Sequence, residues 1–265
     1  HIAGLDGDPE LVVRVYQPDN KAPLTPALLH MHGGGFAVGS LDTEHAFSVA
    51  ISAALGIVLV SVDYRLAPEN PYPAGLNDCY AALCWLHDNA TELGVDPARI
   101  GIYGQSAGGG LAAALALMVR DKGGPPICFQ FLGMPELDDR LATTSMKNFT
   151  DTPAWSRPSA EFSWDYYLGE NYTRGADNVP VYAAPARASD LAGLPPAYIT
   201  AMEFDPLRDE DVIYGLRLLE AGVSVELHTF PGTFHGSVMI PNAAITQRQL
   251  TEGLVVLRNG LKVDE

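Results

Sequence analysis

Apolar positions along the chain alternate between two kinds of pattern. Residues 56–63 (GIVLVSVD) form a nearly continuous β-branched run, as expected of a strand buried on both faces. Shorter runs of the same character occupy 11–17, 26–32, 99–103, 127–132, 197–202 and 224–230. Between them lie helical patterns. Residues 74–90 are helical, and 210–221 and 243–260 carry amphipathic periodicity. Residues 106–120 (SAGGGLAAALALMVR) are small or apolar almost throughout, so this helix is expected to be buried on every side. Gly123, Gly124 and Pro125 stop it.

Strands alternating with helices predict an α/β fold with a mostly parallel central sheet and helices on both faces. Parallel neighbours need a crossover, and a helix supplies it. Ligands in such sheets bind beyond the carboxyl ends of the strands. The loops after Met31, Tyr103, Met202 and Phe230 are therefore where chemistry is expected. Residues 135–195 break the rhythm and carry Trp155, Trp164, Tyr166, Tyr167 and Tyr172. They read as an insertion over the sheet within a single domain covering 1–265.

At 265 residues and 47% hydrophobic content, one large core is within reach. The formal net charge is -16, from 32 acidic against 16 basic residues. Such a field repels phosphate backbones and anionic headgroups, so neither nucleic-acid binding nor membrane docking is expected. Cys79, Cys84 and Cys128 match no metal-ligand spacing and read as reduced thiols, which points to a cytoplasmic address.

Four loops supply candidate chemistry. After the strand at 99–103 comes Gly104-Gln105-Ser106-Ala107-Gly108, a G-x-S-x-G pattern with a strand before it and a helix after it. A sharp turn there exposes the Ser106 hydroxyl at a helix N-terminus, where developing negative charge is favoured. After the strand at 26–32 comes His32-Gly33-Gly34-Gly35-Phe36. Two N–H groups of Gly33, Gly34 and Gly35, with that of Ala107, can converge on one oxyanion. A serine nucleophile needs a base. His235, in the loop beyond 224–230, is preferred to His228, which lies within that strand beside Ser224 and Glu226. Asp205 follows the strand at 197–202 and is the matching carboxylate, with Glu203 in support. Asp209, Glu210 and Asp211 read as first-turn helix acids.

Phe36, Trp155, Phe204 and Phe234 are candidates for an apolar pocket beside the serine. Arg157 and Arg208 are too few to recruit a strongly anionic substrate. His30 and His32 alternate on a strand with no third ligand, so neither metal nor organic cofactor is expected.

These motifs, with Tyr64-Arg65-Leu66-Ala67-Pro68-Glu69 and Asp205-Pro206-Leu207-Arg208-Asp209, together resemble the hormone-sensitive-lipase-like family of carboxylesterases. The resemblance runs from about Leu11 to the last helix. It implies the α/β-hydrolase fold and hydrolysis of short-chain acyl esters through an acyl-enzyme. It places Ser106, Asp205 and His235 on the family's triad, and two of Gly33, Gly34 and Gly35, with Ala107, on its oxyanion hole. It casts Arg65 and Glu69 as a local pair in a structural turn. Gln105 stands where many relatives have Asp, and only about ten residues precede the first strand, so the usual N-terminal helical cap is expected to be short or missing. A non-catalytic small-molecule-binding protein on the same scaffold, or an amidase, are the alternatives. The last helix and the edge strands offer surfaces for a homodimer.

Overall fold

The computed structural model describes residues 1–19, 22 and 24–263. Seven strands form its sheet: β1 (Val12–Tyr16), β2 (Thr25–Met31), β3 (Val58–Asp63), β4 (Val95–Gln105), β5 (Phe129–Gly133), β6 (Ala197–Phe204) and β7 (Val225–Phe234). Their order is β1-β3-β2-β4-β5-β6-β7. β1 runs antiparallel to β3, with Val12 opposite Asp63, and every other pairing is parallel. The helices are α1 (His45–Leu55), α2 (Ala74–Asp88), α3 (Ala90–Leu93), α4 (Ala107–Lys122), α5 (Thr144–Asn148), α6 (Arg157–Leu168), α7 (Arg208–Glu220) and α8 (Ala244–Gly260).

The two-residue period of the strands divides the interior into two cores. Ala27, Leu29 and Met31 of β2 join Val58, Val60 and Val62 of β3 in a core shared with α2 and α4. Leu28, Leu59, Tyr103 and Phe131 point the other way, onto Ile51 and Leu55 of α1 and Leu257 of α8. In α4 every residue from Ala107 to Val119 is buried, as its composition predicts. Leu111, Leu115 and Leu117 on it each contribute roughly 1.5–3 kcal/mol of transfer free energy. Between β5 and β6, the apolar side chains Leu137, Leu141, Met146, Trp164 and Leu168 enter the core of α2 and α4.

Local differences from the sequence reading have simple causes. α1 carries Ala and Ser among few large apolar residues, so its periodicity is faint although Ser48, Ile51, Ser52 and Leu55 are buried. β4 is longer than 99–103 because Val95 pairs with Thr25 before a register shift. β7 runs on through Pro231 and Gly232 to Phe234, which lies opposite Phe204 after an irregularity at Met202–Phe204.

The expected Arg65–Glu69 pair is not the one formed. Arg65 Nη2 reaches Asp78 of α2 at 2.8 Å and Asp8 at 2.8 Å. Asp78 Oδ2 also accepts the Arg65 backbone N–H at 2.8 Å, so the buried carboxylate fixes both ends of the residue. The competition is decided by burial, since an unpaired Asp78 inside α2 would be far costlier than an unpaired surface acid.

Candidate active site

Ser106 joins β4 to α4 with φ 54° and ψ -125°, in the left-handed region that side chains avoid. The bend is possible because its flanks lack side chains. A Cβ on Gly104 would stand 2.1 Å from the Gly108 carbonyl oxygen, and one on Gly108 would stand 2.2 Å from that of Met31. The Ser106 N–H donates to Gly133 O of β5 at 2.8 Å, locking the turn to the neighbouring strand.

His235 brings Nε2 to 2.9 Å from Ser106 Oγ, and its Nδ1 lies 2.7 Å from Asp205 Oδ2. Asp205 is completely buried, and its other oxygen accepts the Leu207 N–H at 3.0 Å. A buried carboxylate can only accept, so Nδ1 carries the ring proton and Nε2 turns its lone pair to the serine. The loop carrying His235 is braced where β7 becomes irregular. Glu203 Oε2 takes the Gly232 N–H at 2.6 Å, and Met134 Sδ takes the Gly236 N–H at 3.4 Å. The expected supporting place of Glu203 is thus in the turn before the histidine. Trp155 lays its ring against His235, with centroids 5.5 Å apart and planes 30° apart. His228 is elsewhere: half-buried on β7, it contacts Glu226 and Glu252, each at 3.1 Å. Asp209 lies in the first turn of α7, as expected, and accepts the Ser145 N–H at 2.7 Å.

The three glycines after β2 are not equivalent. Gly33 donates its N–H to Glu44 Oε1 at 3.1 Å, which takes it out of the candidate oxyanion donors. Gly34 and Gly35 have φ of 125° and 56°, and among the described residues their N–H groups and that of Ala107 have no protein acceptor. Glu44 faces His30 Nε2 at 2.7 Å, and His30 Nδ1 lies 3.0 Å from Ser48 Oγ. Burial pushes the Glu44 carboxyl up, but His30 and the Gly33 N–H outweigh it and hold it below the usual range. His32 donates Nδ1–H to Gly33 O at 2.8 Å and stacks on Tyr64, and burial lowers its pKa.

A second buried acid meets the same loop and carried no sequence reading. Ser163 Oγ of α6 lies 3.1 Å from Gly35 O and 3.0 Å from Glu136 Oε2. Burial pushes Glu136 up to about 8, the Ser163 hydrogen bond pulls it down and the Asp205 charge pushes it further up. Its available signal was a carboxylate directly after Pro135, at the end of the apolar run 131–135.

Of the four aromatic pocket candidates, Trp155 is the one that makes a ring contact with the triad among the described residues. Phe36 is buried and stacks on Tyr167 with ring centroids 3.9 Å apart, as part of the core. Phe204 is 46% exposed and meets Phe149 edge-on, and Phe234 is its strand partner beyond the register shift. Gln105 donates its amide to the Tyr103 hydroxyl, so no charge stands beside the serine.

Residues 28–239 match the family model described as the alpha/beta hydrolase fold. The chain belongs to this family, as a hormone-sensitive-lipase-like member. Among solved structures it is similar to a bacterial heroin esterase, at 57% identity and a TM-score of 0.97, covering 98% of this chain and 82% of that one. It is also similar to two proteins of Mycobacterium tuberculosis (strain ATCC 25618 / H37Rv). Carboxylesterase NlhH is 41% identical over 262 residues, covering 97% of this chain and 81% of the relative. Esterase LipI is 42% identical over 235 residues, covering 88% and 72%.

Proposed function

We propose that the protein is a serine carboxylesterase acting on short-chain acyl esters, with Ser106 as nucleophile, His235 as general base and acid, and Asp205 as the orienting carboxylate. The observation that carries this reading is the continuous Ser106–His235–Asp205 hydrogen-bonded chain, set beside three N–H groups without a protein acceptor among the described residues. His235 Nε2 takes the Ser106 proton as Oγ attacks the ester carbonyl carbon. The N–H groups of Gly34, Gly35 and Ala107 hold the oxyanion, and the α4 N-terminus adds its dipole. His235 then gives the proton to the departing alcohol, leaving the acyl group on Ser106. Water, deprotonated by His235, releases the acid and restores the serine. Asp205 keeps the imidazole in the required tautomer and stabilises the imidazolium without taking its proton.

A neutral substrate fits the charges. Arg157 is engaged by Glu161, and Arg208 by Asp209, on a molecule of net charge -16. The same charge opposes nucleic-acid and anionic-membrane partners. Among the described residues no helix is long and apolar enough to cross a membrane. The three unpaired cysteines support a cytoplasmic address. The intact triad favours an enzyme over a non-catalytic binding protein on the same scaffold.

The test is hydrolysis of nitrophenyl esters from acetate to dodecanoate by the parent, Ser106→Ala and His235→Ala. Loss of about a thousandfold or more in kcat for both variants is expected. No turnover of any ester by the folded parent, or undiminished turnover by the variants, overturns the reading. Heroin, named for the 57% identical structure, is a second substrate to assay.

A further inference from the structure

Glu136 meets the site in two places. Its backbone N–H donates to Ser106 O at 3.1 Å, at the turn that carries the nucleophile. Its side chain is fully buried, and Oε2 lies 3.0 Å from Ser163 Oγ on α6. Oε1 has no hydrogen-bond partner, so among the described residues the Ser163 hydroxyl is the carboxyl's one polar contact. A carboxylate there has neither a counter-charge nor a second donor, which favours the neutral acid.

Proton counting then sets the direction of the chain. Ser163 Oγ also lies 3.1 Å from Gly35 O, and among the described residues no other group donates to that carbonyl. A serine hydroxyl has one proton, and a carbonyl has none to give. Both short contacts are hydrogen bonds only if Glu136 supplies a second proton. The neutral acid donates to Ser163 Oγ, and Ser163 donates to Gly35 O. With Glu136 ionised, the Ser163 proton goes to the charged oxygen, the stronger acceptor, and the buried Gly35 carbonyl is left bare.

The carbonyls of the oxyanion loop are held in turn. His32 Nδ1–H holds Gly33 O, and the N–H groups of Ala37 and Val38 hold Gly34 O at 3.1 and 3.0 Å. Those donors keep their protons at neutral and alkaline pH. The hold on Gly35 O alone depends on a proton that can leave, and Gly35 has no Cβ to restrain its ψ. The groups facing Glu136 do not replace that proton. The Asp205 charge strengthens its grip on Glu136, and burial pushes Glu210, Tyr64 and Tyr167 well up, so they stay neutral beside it. The imidazole of His235 is taken by Asp205 and Ser106, and α4 is apolar where Gly110 meets the Glu136 backbone.

We propose that Glu136, as the neutral acid, is a positioning residue for the oxyanion loop, and that loss of its proton releases the Gly35 carbonyl and slackens the Gly34 and Gly35 donors. The proposal rests on the esterase reading above and gives that reaction an alkaline limit set outside the triad. With the carboxyl pushed up to about 8, the hold is in place at neutral pH and is lost above that value.

The test is kcat for nitrophenyl acetate from neutral to alkaline pH. The parent's kcat is expected to fall about tenfold as pH rises through about 8, with little change in KM. Ser163→Ala, which leaves Gly35 O bare at every pH, is expected to start on that low plateau and stay there. Glu136→Gln, whose amide donates to Ser163 Oγ whatever the pH, is expected to stay near the parent's high plateau. The parent's alkaline fall persisting in Glu136→Gln, or full kcat in Ser163→Ala, overturns the proposal. A second measurement needs no turnover. The sequence holds one Gly–Phe step, Gly35–Phe36, so carbonyl-labelled glycine with amide-labelled phenylalanine gives a single magnetic-resonance signal for that peptide. The signal is expected to shift as pH passes about 8 in the parent and to stay put in Glu136→Gln. An equal shift in both proteins overturns the proposal. A parent that hydrolyses no ester, but whose Gly35 signal follows Glu136, sinks the esterase reading while supporting the proton-dependent hold.

Discussion

Glu44 accepts the N–H of Gly33 at 3.1 Å while its second oxygen lies 2.7 Å from His30 Nε2. The oxyanion loop is thereby tied to a buried network that continues from His30 to Ser48 and Ser61. With the Gly33 peptide pinned, the next two N–H groups are aimed by the backbone rather than by solvent.

Replacing Glu44 with Ala therefore loosens donors that matter most in the transition state. A fall in kcat of about ten- to a hundredfold with little change in KM is expected from steady-state assays. Glu44→Gln, which can still accept the Gly33 N–H, is expected to retain most activity. A fall in KM-derived affinity alone, with kcat intact, would contradict the positioning role.

Asp205→Asn keeps the shape of the buried acid but can donate to His235 Nδ1, favouring the wrong tautomer. A loss of about 10³–10⁴ in kcat is expected, with a melting temperature close to the parent's. Pre-steady-state acylation is the direct readout. Retention of more than a tenth of the parent rate would remove Asp205 from the triad.

Glu136, Glu210 and Asp211 are fully buried, and burial is the leading cause that pushes each of them up. For such a group the native state holds a proton that the unfolded chain releases. Its stabilising contribution is therefore present below the unfolded value and is lost as pH rises to the folded one. For Glu136 that window runs from 4.5 to about 8. Melting temperatures are expected to fall across it, and Glu136→Gln, which does not titrate, is expected to make the fall shallower. An identical slope in the variant would show that Glu136 is not protonated in the fold.

Asp78→Ala leaves the Arg65 guanidinium with the partly exposed Asp8 and the Ala74 carbonyl and frees the Arg65 N–H. A cost of roughly 2–4 kcal/mol and a fall in melting temperature of about 5–10 °C are expected by calorimetry. A change of under about a degree would mean that the turn is held by its neighbours instead.

The triad was legible because each member sits where a local pattern announces it. Ser106 lies in a glycine-flanked turn between strand and helix, and Asp205 and His235 each follow a strand in the required chain order. Glu44 and Glu136 were not legible, because their roles depend on contacts across the sequence: Glu44 with His30, and Glu136 with Ser163 of α6. No period or spacing connects those positions. Phe36 and Phe204 misled for the opposite reason. Adjacency to a site loop says nothing about which way a ring turns, and at φ 57° Phe36 turns into the core while Phe204 turns to solvent.

The triad and its oxyanion donors come from loops after β2, β4, β6 and β7, spanning Gly34 to His235 in the chain. No contiguous fragment shorter than that span contains all of them, and every interior strand pairing must be in register before the last group arrives. Turnover is accordingly a reporter of completed folding. In a refolding experiment, regain of secondary structure precedes regain of catalysis, and the lag between them times the closing of the sheet.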